Sequence, residues 1–139
     1  YDAAVRAFEG SDGAVMCAAV ADYTPDRVSD TKIKKCDGDM CITLRRTRDI
    51  AAELGAHKGG RLLVGFALET HDEQAHAEAK LEKKNFDFIV LNSLNDPGAG
   101  FRHDTNKITI ISRTDSVVYP LKSKKEVAAD IVDRLVSSF

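Results

Sequence analysis

The sequence predicts an α/β fold: a Rossmann-like, mostly parallel sheet flanked by helices, with a late β-hairpin. Three observations carry that prediction. Residues 14–20 and residues 61–68 are runs of small, branched and apolar side chains that stop abruptly at polar residues, Asp22 in the first case and Glu69-Thr70 in the second. Such runs suit strands buried on both faces, as in a parallel sheet. Helical periodicity alternates with them through the middle of the chain, the pattern of βα units. Near the end, residues 107–112 and 117–121 read as two strands joined by the polar turn 113–116, a hairpin signal.

In chain order, Tyr1, Ala4, Val5 and Phe8 recur at helical spacing and Gly10 is the expected terminator. The strand at 14–20 follows. Residues 23–38, with Pro25, Ser29, Asp30 and the cluster Lys32-Ile-Lys-Lys35, read as a long charged loop or flap. Residues 40–46 alternate well enough for an edge strand with a basic end. Thr47 is the expected N-cap of a short helix through Arg48-Asp-Ile-Ala-Ala-Glu-Leu. After the strand at 61–68, residues 71–84 form a helix with Ala75, Ala79 and Lys83 on one stripe and Lys80 and Lys84 on the next. Residues 88–91 are a strand, and 92–106, containing Asp96-Pro-Gly-Ala-Gly-Phe101, a loop rich in turn formers. Ser123 and Glu126 make a capping box for the last helix, which buries Val127, Ile131 and Leu135.

A chain of 139 residues with 43% hydrophobic and 30% charged side chains is expected to form a single globular domain over 1–139. Its net charge of −2 lacks the basic excess of a nucleic-acid binder. No apolar run reaches the roughly 18 residues that suggest a membrane span, and no signal peptide is expected. Cys17, Cys36 and Cys41 lack the paired spacing of a zinc site; Cys17 reads as a small core residue, and free thiols fit a cytoplasmic location. The opening at Tyr1, inside an amphipathic pattern and without Met, reads as a fragment of a longer protein.

In a parallel sheet the C-terminal strand ends share one edge, so Asp22, Glu69, Thr70 and Asn92 are expected to converge there, with flap lysines able to fold over them. Such an edge suits a phosphate or nucleotide. Each residue also has a plainer reading: Asp22 as a turn or capping residue, Lys32 to Lys35 as a solvated loop, Lys80 and Lys84 as an exposed helix face. The four histidines, His57, His71, His76 and His103, read as structural or surface residues. Neither a dinucleotide glycine fingerprint nor a phosphate-binding P-loop is present, which disfavours a dehydrogenase. No nucleophile–base pair of Ser or Cys with His stands out.

The segments Ala18-Ala-Val-Ala-Asp22-Tyr, Lys32-Ile-Lys-Lys35, Arg48-Asp-Ile, Gly65-Phe-Ala-Leu-Glu-Thr70, Lys84-Asn-Phe-Asp87 and Asn92 followed by Gly100-Phe101 occur in a fixed order across nearly the whole chain. Together they resemble the phosphopantothenoylcysteine synthetase family. The resemblance implies a cytoplasmic, CTP-dependent ligase of coenzyme A biosynthesis. Such an enzyme joins 4′-phosphopantothenate to L-cysteine through an acyl-cytidylate, releasing pyrophosphate and then CMP. It implies Mg²⁺, a homodimer contacting through the flap and the 40–46 strand, and a covalently linked flavin-dependent decarboxylase. It also implies that N-terminal βα units, with a Gly/Ser-rich phosphate loop and an Asn acting on the acyl intermediate, precede this segment.

By the same resemblance, Met16, Cys17 and Ala18 offer backbone groups to the nucleotide, Cys17 standing where many relatives carry Ala. Asp22 binds it as well. Arg48, Asp49, Ile50, Ala51 and the ring of Phe66 hold it, although many relatives have Asn-Pro where this chain has Thr47-Arg48. Lys80 and Lys84 reach its phosphates, and Lys32 is the catalytic flap lysine. Metal ligands remain unassigned. The competing reading is a non-catalytic nucleotide-binding or assembly module of the same fold.

Overall fold

The computed structural model describes residues 1–35, 37–93 and 103–139. The described elements run α1 (Asp2–Glu9), β1 (Gly13–Met16), β2 (Tyr23–Pro25), β3 (Leu44–Arg46), α2 (Ile50–Ala56), β4 (Leu62–Glu69) and α3 (Glu73–Lys83). They continue with β5 (Phe88–Ser93), β6 (Thr105–Asn106), β7 (Ile108–Ser112), β8 (Ser116–Val118), β9 (Lys122–Ser123) and α4 (Lys124–Val136). Two compact units contain them: Tyr1–Cys17 with Ile50–Phe139, and Ala18–Asp49.

The larger unit is built on a sheet of order β1-β4-β5-β7-β8. β1, β4 and β5 are parallel, whereas β7 pairs antiparallel with β5 and β8 antiparallel with β7, forming the expected late hairpin. Alternation along β4 and β5 sends side chains to two cores. Leu63, Ala67, Ile89 and Leu91 pack with Phe8, Leu54, Ala77, Leu81 and Phe86, so α1, α2 and α3 cover one face. Val64, Phe88 and Val90 pack with Ile108, Ile110 and with Val127 and Ile131 of α4 on the other. This is the predicted α/β layering, because strands covered on both sides read as continuous apolar runs.

The turn between α3 and β5 is held by specific chemistry. Asn85 adopts φ 51°, its N–H donates to the Glu82 carbonyl at 3.1 Å, and the Phe86 N–H donates to the Leu81 carbonyl at 3.0 Å. That is a Schellman ending, which throws Phe86 back toward Leu81 and into the core. Gly65 of β4 makes the space: a Cβ there would stand 2.3 Å from the Phe86 ring. Asp87 then fastens the N-terminal ends of β4 and β5, accepting from the Leu63 N–H (2.7 Å) and from Lys58 Nζ (2.7 Å) while its own N–H donates to the Leu63 carbonyl (2.8 Å).

Several boundaries differ from the sequence expectation. The first strand stops at Met16 instead of running to residue 20, and its Val15 is exposed. As the edge strand it pairs with β4, so full burial on both faces does not follow from its apolar composition. Past Met16, the Cys17 N–H turns back to the Val15 carbonyl (3.1 Å) and the Val20 N–H to the Ala18 carbonyl (3.0 Å). Such tight turns take the chain out of the ladder. Cys17 is accordingly exposed, not the core residue its neighbours suggested. On α3 the packing face is Ala77 and Leu81, while Ala75, Ala79 and Lys83 face solvent.

The smaller unit contains an antiparallel ribbon, β2 with β3, in which Tyr23 faces Arg46. The β2 strand lies inside the segment expected to be a loop, and the strand expected at 40–46 is confined to Leu44–Arg46. The Arg46 guanidinium sits 5.9 Å from the Tyr23 ring centroid, a cation–π distance that ties the ribbon end. Thr47 closes the ribbon instead of capping a helix: its N–H donates to the Asp22 carbonyl (2.9 Å) and its hydroxyl to the Ala21 carbonyl (2.7 Å). Cys36 and most of the loop at 92–106, including the Asp96 to Phe101 motif, lie outside the described residues. Thr105 and Asn106, at the end of that expected loop, form β6 and pair with β9.

The final helix is capped as its sequence requires. Ser123 Oγ accepts from the Glu126 N–H (3.3 Å), and Glu126 Oε2 accepts from the Ser123 N–H (3.0 Å), the reciprocal pair of a capping box.

Candidate functional site

The parallel strands of the larger unit put three C-terminal ends on one edge: Met16 of β1, Glu69 of β4 and Ser93 of β5. Open α/β sheets bind ligands at such edges. Two of the three ends carry polar side chains. Glu69 keeps 14% of its side-chain exposure, and Lys80, which keeps 44%, places Nζ 2.5 Å from Glu69 Oε1. His76 Nδ1 lies 3.5 Å from Oε2 of the same carboxylate. His76 and Lys80 are four residues apart on α3, so one helix face presents both to the end of β4.

The network extends outward. The His71 and His76 rings meet edge to face with centroids 5.2 Å apart, and Thr70 Oγ1 lies 3.1 Å from His71 Nδ1. Ser93 Oγ donates to Glu73 at 2.6 Å. Burial alone would raise the Glu69 pKa, but the hydrogen bond and charge of Lys80, followed by those of His76, outweigh it and hold the carboxyl below its usual value. The edge thus presents an ionised carboxylate with a partly exposed ammonium in contact with it, ready for an anion.

The opposite face of the same strands is apolar. Phe66 and Leu68 are partly exposed there. By the strand alternation Asn92 shares that face, and its Oδ1 is buried without a hydrogen-bond partner among the described residues. An exposed aromatic ring on the same sheet face as a buried amide oxygen with no partner among the described residues suits a flat heteroaromatic group with N–H donors.

The expected site residues divide between the two units. In the larger one, Met16 ends β1 and packs half-buried on the core, and Cys17 follows it exposed. Ile50 and Ala51 open α2 and pack against the same core, so their side chains are structural and backbone groups are what they can offer. Phe66 and Lys80 lie as described, and Lys84 stands one residue past α3 as its C-cap. In the smaller unit, Ala18, Asp22, Lys32, Arg48 and Asp49 are all exposed. Asp22 falls immediately before β2, not at the end of the first strand, because that strand is short.

Two participants escaped the sequence reading. Glu69 is expected from sequence at the edge, but not as the partner of Lys80, and His76 reads there as a structural or surface residue. The i, i+4 spacing of His76 and Lys80 opposite a strand-terminal Glu was the available signal. Among the described residues no group of three or more His, Cys, Asp or Glu is arranged to hold a metal ion. No helix among the described residues is long and apolar enough to cross a membrane.

Comparison with known proteins extends these observations. A protein of an unknown prokaryotic organism, named cysteine/cysteine sulfinic acid decarboxylase, is 56% identical over 138 residues, which is 98% of this chain and 38% of that protein. The Coenzyme A biosynthesis bifunctional protein CoaBC of Bacillus subtilis (strain 168) is 42% identical over 137 residues, 98% of this chain and 34% of that protein. This chain therefore spans little more than a third of either relative. A crystal structure of the C-terminal domain of Coenzyme A biosynthesis bifunctional protein CoaBC superposes with a TM-score of 0.75 at 33% identity, over 96% of this chain and 58% of that one. The family model described as DNA/pantothenate metabolism flavoprotein C-terminal domain matches residues 1–139, and the chain belongs to that family.

Proposed function

We propose that this chain carries the phosphopantothenate–cysteine ligase activity of coenzyme A biosynthesis. The observation that carries the reading is the family match over residues 1–139 together with 42% identity to a CoaBC protein. The carboxylate of 4′-phosphopantothenate attacks the α-phosphorus of CTP, and pyrophosphate leaves. The amine of cysteine then attacks the acyl carbon, CMP leaves, and the ammonium proton is lost to solvent or base. Lys80 and Lys84 take phosphate oxygens, because ammonium groups stabilise charge building on a departing pyrophosphate. Phe66 stacks on the base and Asn92 Oδ1 accepts from it. The backbones of Met16, Cys17, Ala18, Ile50 and Ala51, together with Asp22, Arg48 and Asp49, serve nucleotide binding. Lys32, on its exposed segment, acts on the acyl-cytidylate. Mg²⁺ arrives with the nucleotide phosphates instead of residing in a protein cage. The protein acts in the cytoplasm as a homodimer, and a flavin-dependent decarboxylase is joined to this synthetase domain.

A second reading, a non-catalytic nucleotide-binding or assembly module, is favoured by one observation: the 56% identical relative bears the name of a decarboxylase. Calorimetric titration with CTP, ATP and CMP, with and without Mg²⁺, followed by an assay of pyrophosphate release with 4′-phosphopantothenate and cysteine, separates the two. Magnesium-dependent CTP binding with turnover is the expected result. Binding of CTP without turnover in the folded protein would establish the second reading instead.

A further inference from the structure

We infer that Glu69 is a positioning residue that holds the Lys80 ammonium at the strand edge and, as a fixed counter-charge, limits how tightly that ammonium takes an anionic phosphate group. The inference rests on the reading that Lys80 receives phosphate. It draws on three features of the edge. Lys80 Nζ is 2.5 Å from Glu69 Oε1, so one of its three donors is committed. The Lys80 side chain nonetheless keeps 44% of its exposure while that of Glu69 keeps 14%, so the lysine is the more open of the two to solvent. Finally, Oε2 is braced by His76 at 3.5 Å, which keeps the carboxylate from swinging away when the ammonium turns to a new partner.

These features set two opposed effects. Anchoring the four-carbon stem of Lys80 removes rotamer freedom before any ligand arrives, which favours binding. Against that, a carboxylate one hydrogen bond behind the ammonium repels an incoming polyanion across a few ångströms. At an edge screened only partly by water the Coulomb term is the larger. Glu69 therefore weakens the grip on phosphate while fixing where it is made. In a reaction that expels pyrophosphate, such a counter-charge favours release over retention. When the anion departs, the ammonium returns to Glu69 and the edge is reset.

The test uses inorganic pyrophosphate as the probe. Glu69→Gln keeps the side-chain shape and an oxygen acceptor for Lys80 but removes the charge. Its Kd for pyrophosphate is expected to fall roughly three- to tenfold at neutral pH and low salt, the scale of one like-charge interaction at a partly solvated site. Lys80→Ala is expected to raise that Kd. If Lys80→Ala weakens pyrophosphate while Glu69→Gln leaves it unchanged or weaker, the inference fails and the reading of Lys80 survives. If Lys80→Ala changes nothing, the reading of Lys80 fails and the inference with it. A merely structural Glu69 would not tighten binding. Should Glu69→Gln fail to fold, the ¹⁵N signal of the Lys80 ammonium in the unaltered protein, assigned with Lys80→Arg, decides. It is expected to be resolved in the free protein and displaced by pyrophosphate; a signal that saturating pyrophosphate leaves in place overturns the inference.

Discussion

Lys58 is 8% exposed, and its ammonium lies 2.7 Å from Asp87 Oδ1, at the end of the sheet opposite the candidate site. The partnership is unequal. Asp87 also accepts the Leu63 N–H and keeps 28% of its side-chain exposure against 10% for Lys58. Removing one partner of a buried pair costs most when the group left behind is the more buried. Asp87→Ala is therefore expected to destabilise by about 3 kcal/mol, since it strands a buried ammonium and an N–H together. Lys58→Met, which leaves Asp87 bonded and hydrated, is expected to cost roughly 1 kcal/mol. Urea unfolding of both variants checks the order, and equal losses would contradict it.

The close approach of Gly65 and the Phe86 ring makes a second test. An added methyl would stand 2.3 Å from the ring, in a core where β4 and the α3 turn are fixed by hydrogen bonds on both sides. Gly65→Ala is expected to cost about 1–3 kcal/mol by overpacking. Combining it with Phe86→Leu should recover part of the loss, because the smaller side chain vacates the position. Two losses that simply add would mean that the methyl strains the backbone and not the ring.

The capping box of α4 predicts a pH dependence. The Glu126 carboxyl is held below its usual 4.5 first by the Ser123 hydroxyl and then by the Ser123 N–H. A carboxyl whose folded pKa is depressed contributes stability that is complete above the unfolded value and is lost as pH falls through the folded one. The difference in stability between the protein and Glu126→Gln should therefore be constant at neutral pH and shrink below about pH 4.5. Ser123→Ala should cost on the order of 1 kcal/mol at neutral pH. Thermal unfolding across the acid range reads both, and a gap that widens on acidification would contradict the assignment.

How far the sequence led depended on what kind of information each element carries. The capping box, β4 and the late hairpin are written locally, in the spacing of Ser123 and Glu126 and in unbroken apolar or alternating runs, and they stand where expected. The first strand is different. Its apolar residues continue to Val20, yet the ladder stops at Met16 although β4 runs on to Glu69, because the Cys17 and Val20 N–H groups turn back to the Val15 and Ala18 carbonyls, which apolar composition does not reveal. Thr47 has the right chemistry for an N-cap but spends its N–H and hydroxyl on Asp22 and Ala21, a choice fixed by the pairing of β2 and β3. The Glu69–Lys80 pair joins two elements that each looked ordinary, a strand-terminal acid and an exposed helix face, and becomes visible once the strand end and the helix are set side by side.

The roles proposed for the lysines separate by ligand. Lys80 is assigned to the phosphate chain, so Lys80→Ala should raise the Kd for CTP about tenfold, the scale of a charge-assisted hydrogen bond lost at a partly exposed site. It should change the Kd for CMP by less than about threefold, since CMP lacks the outer phosphates. Lys32, exposed in the smaller unit, is assigned to the acyl-cytidylate and not to the ground-state nucleotide. Lys32→Gln should accordingly leave CTP binding nearly intact while slowing ligation by about 10²-fold or more. Titration with both nucleotides and a single-turnover measurement of pyrophosphate release followed by product formation distinguish the two. Equal weakening of CTP and CMP by Lys80→Ala would move Lys80 away from the outer phosphates, and loss of CTP binding in Lys32→Gln would make Lys32 a nucleotide ligand instead of a catalytic group.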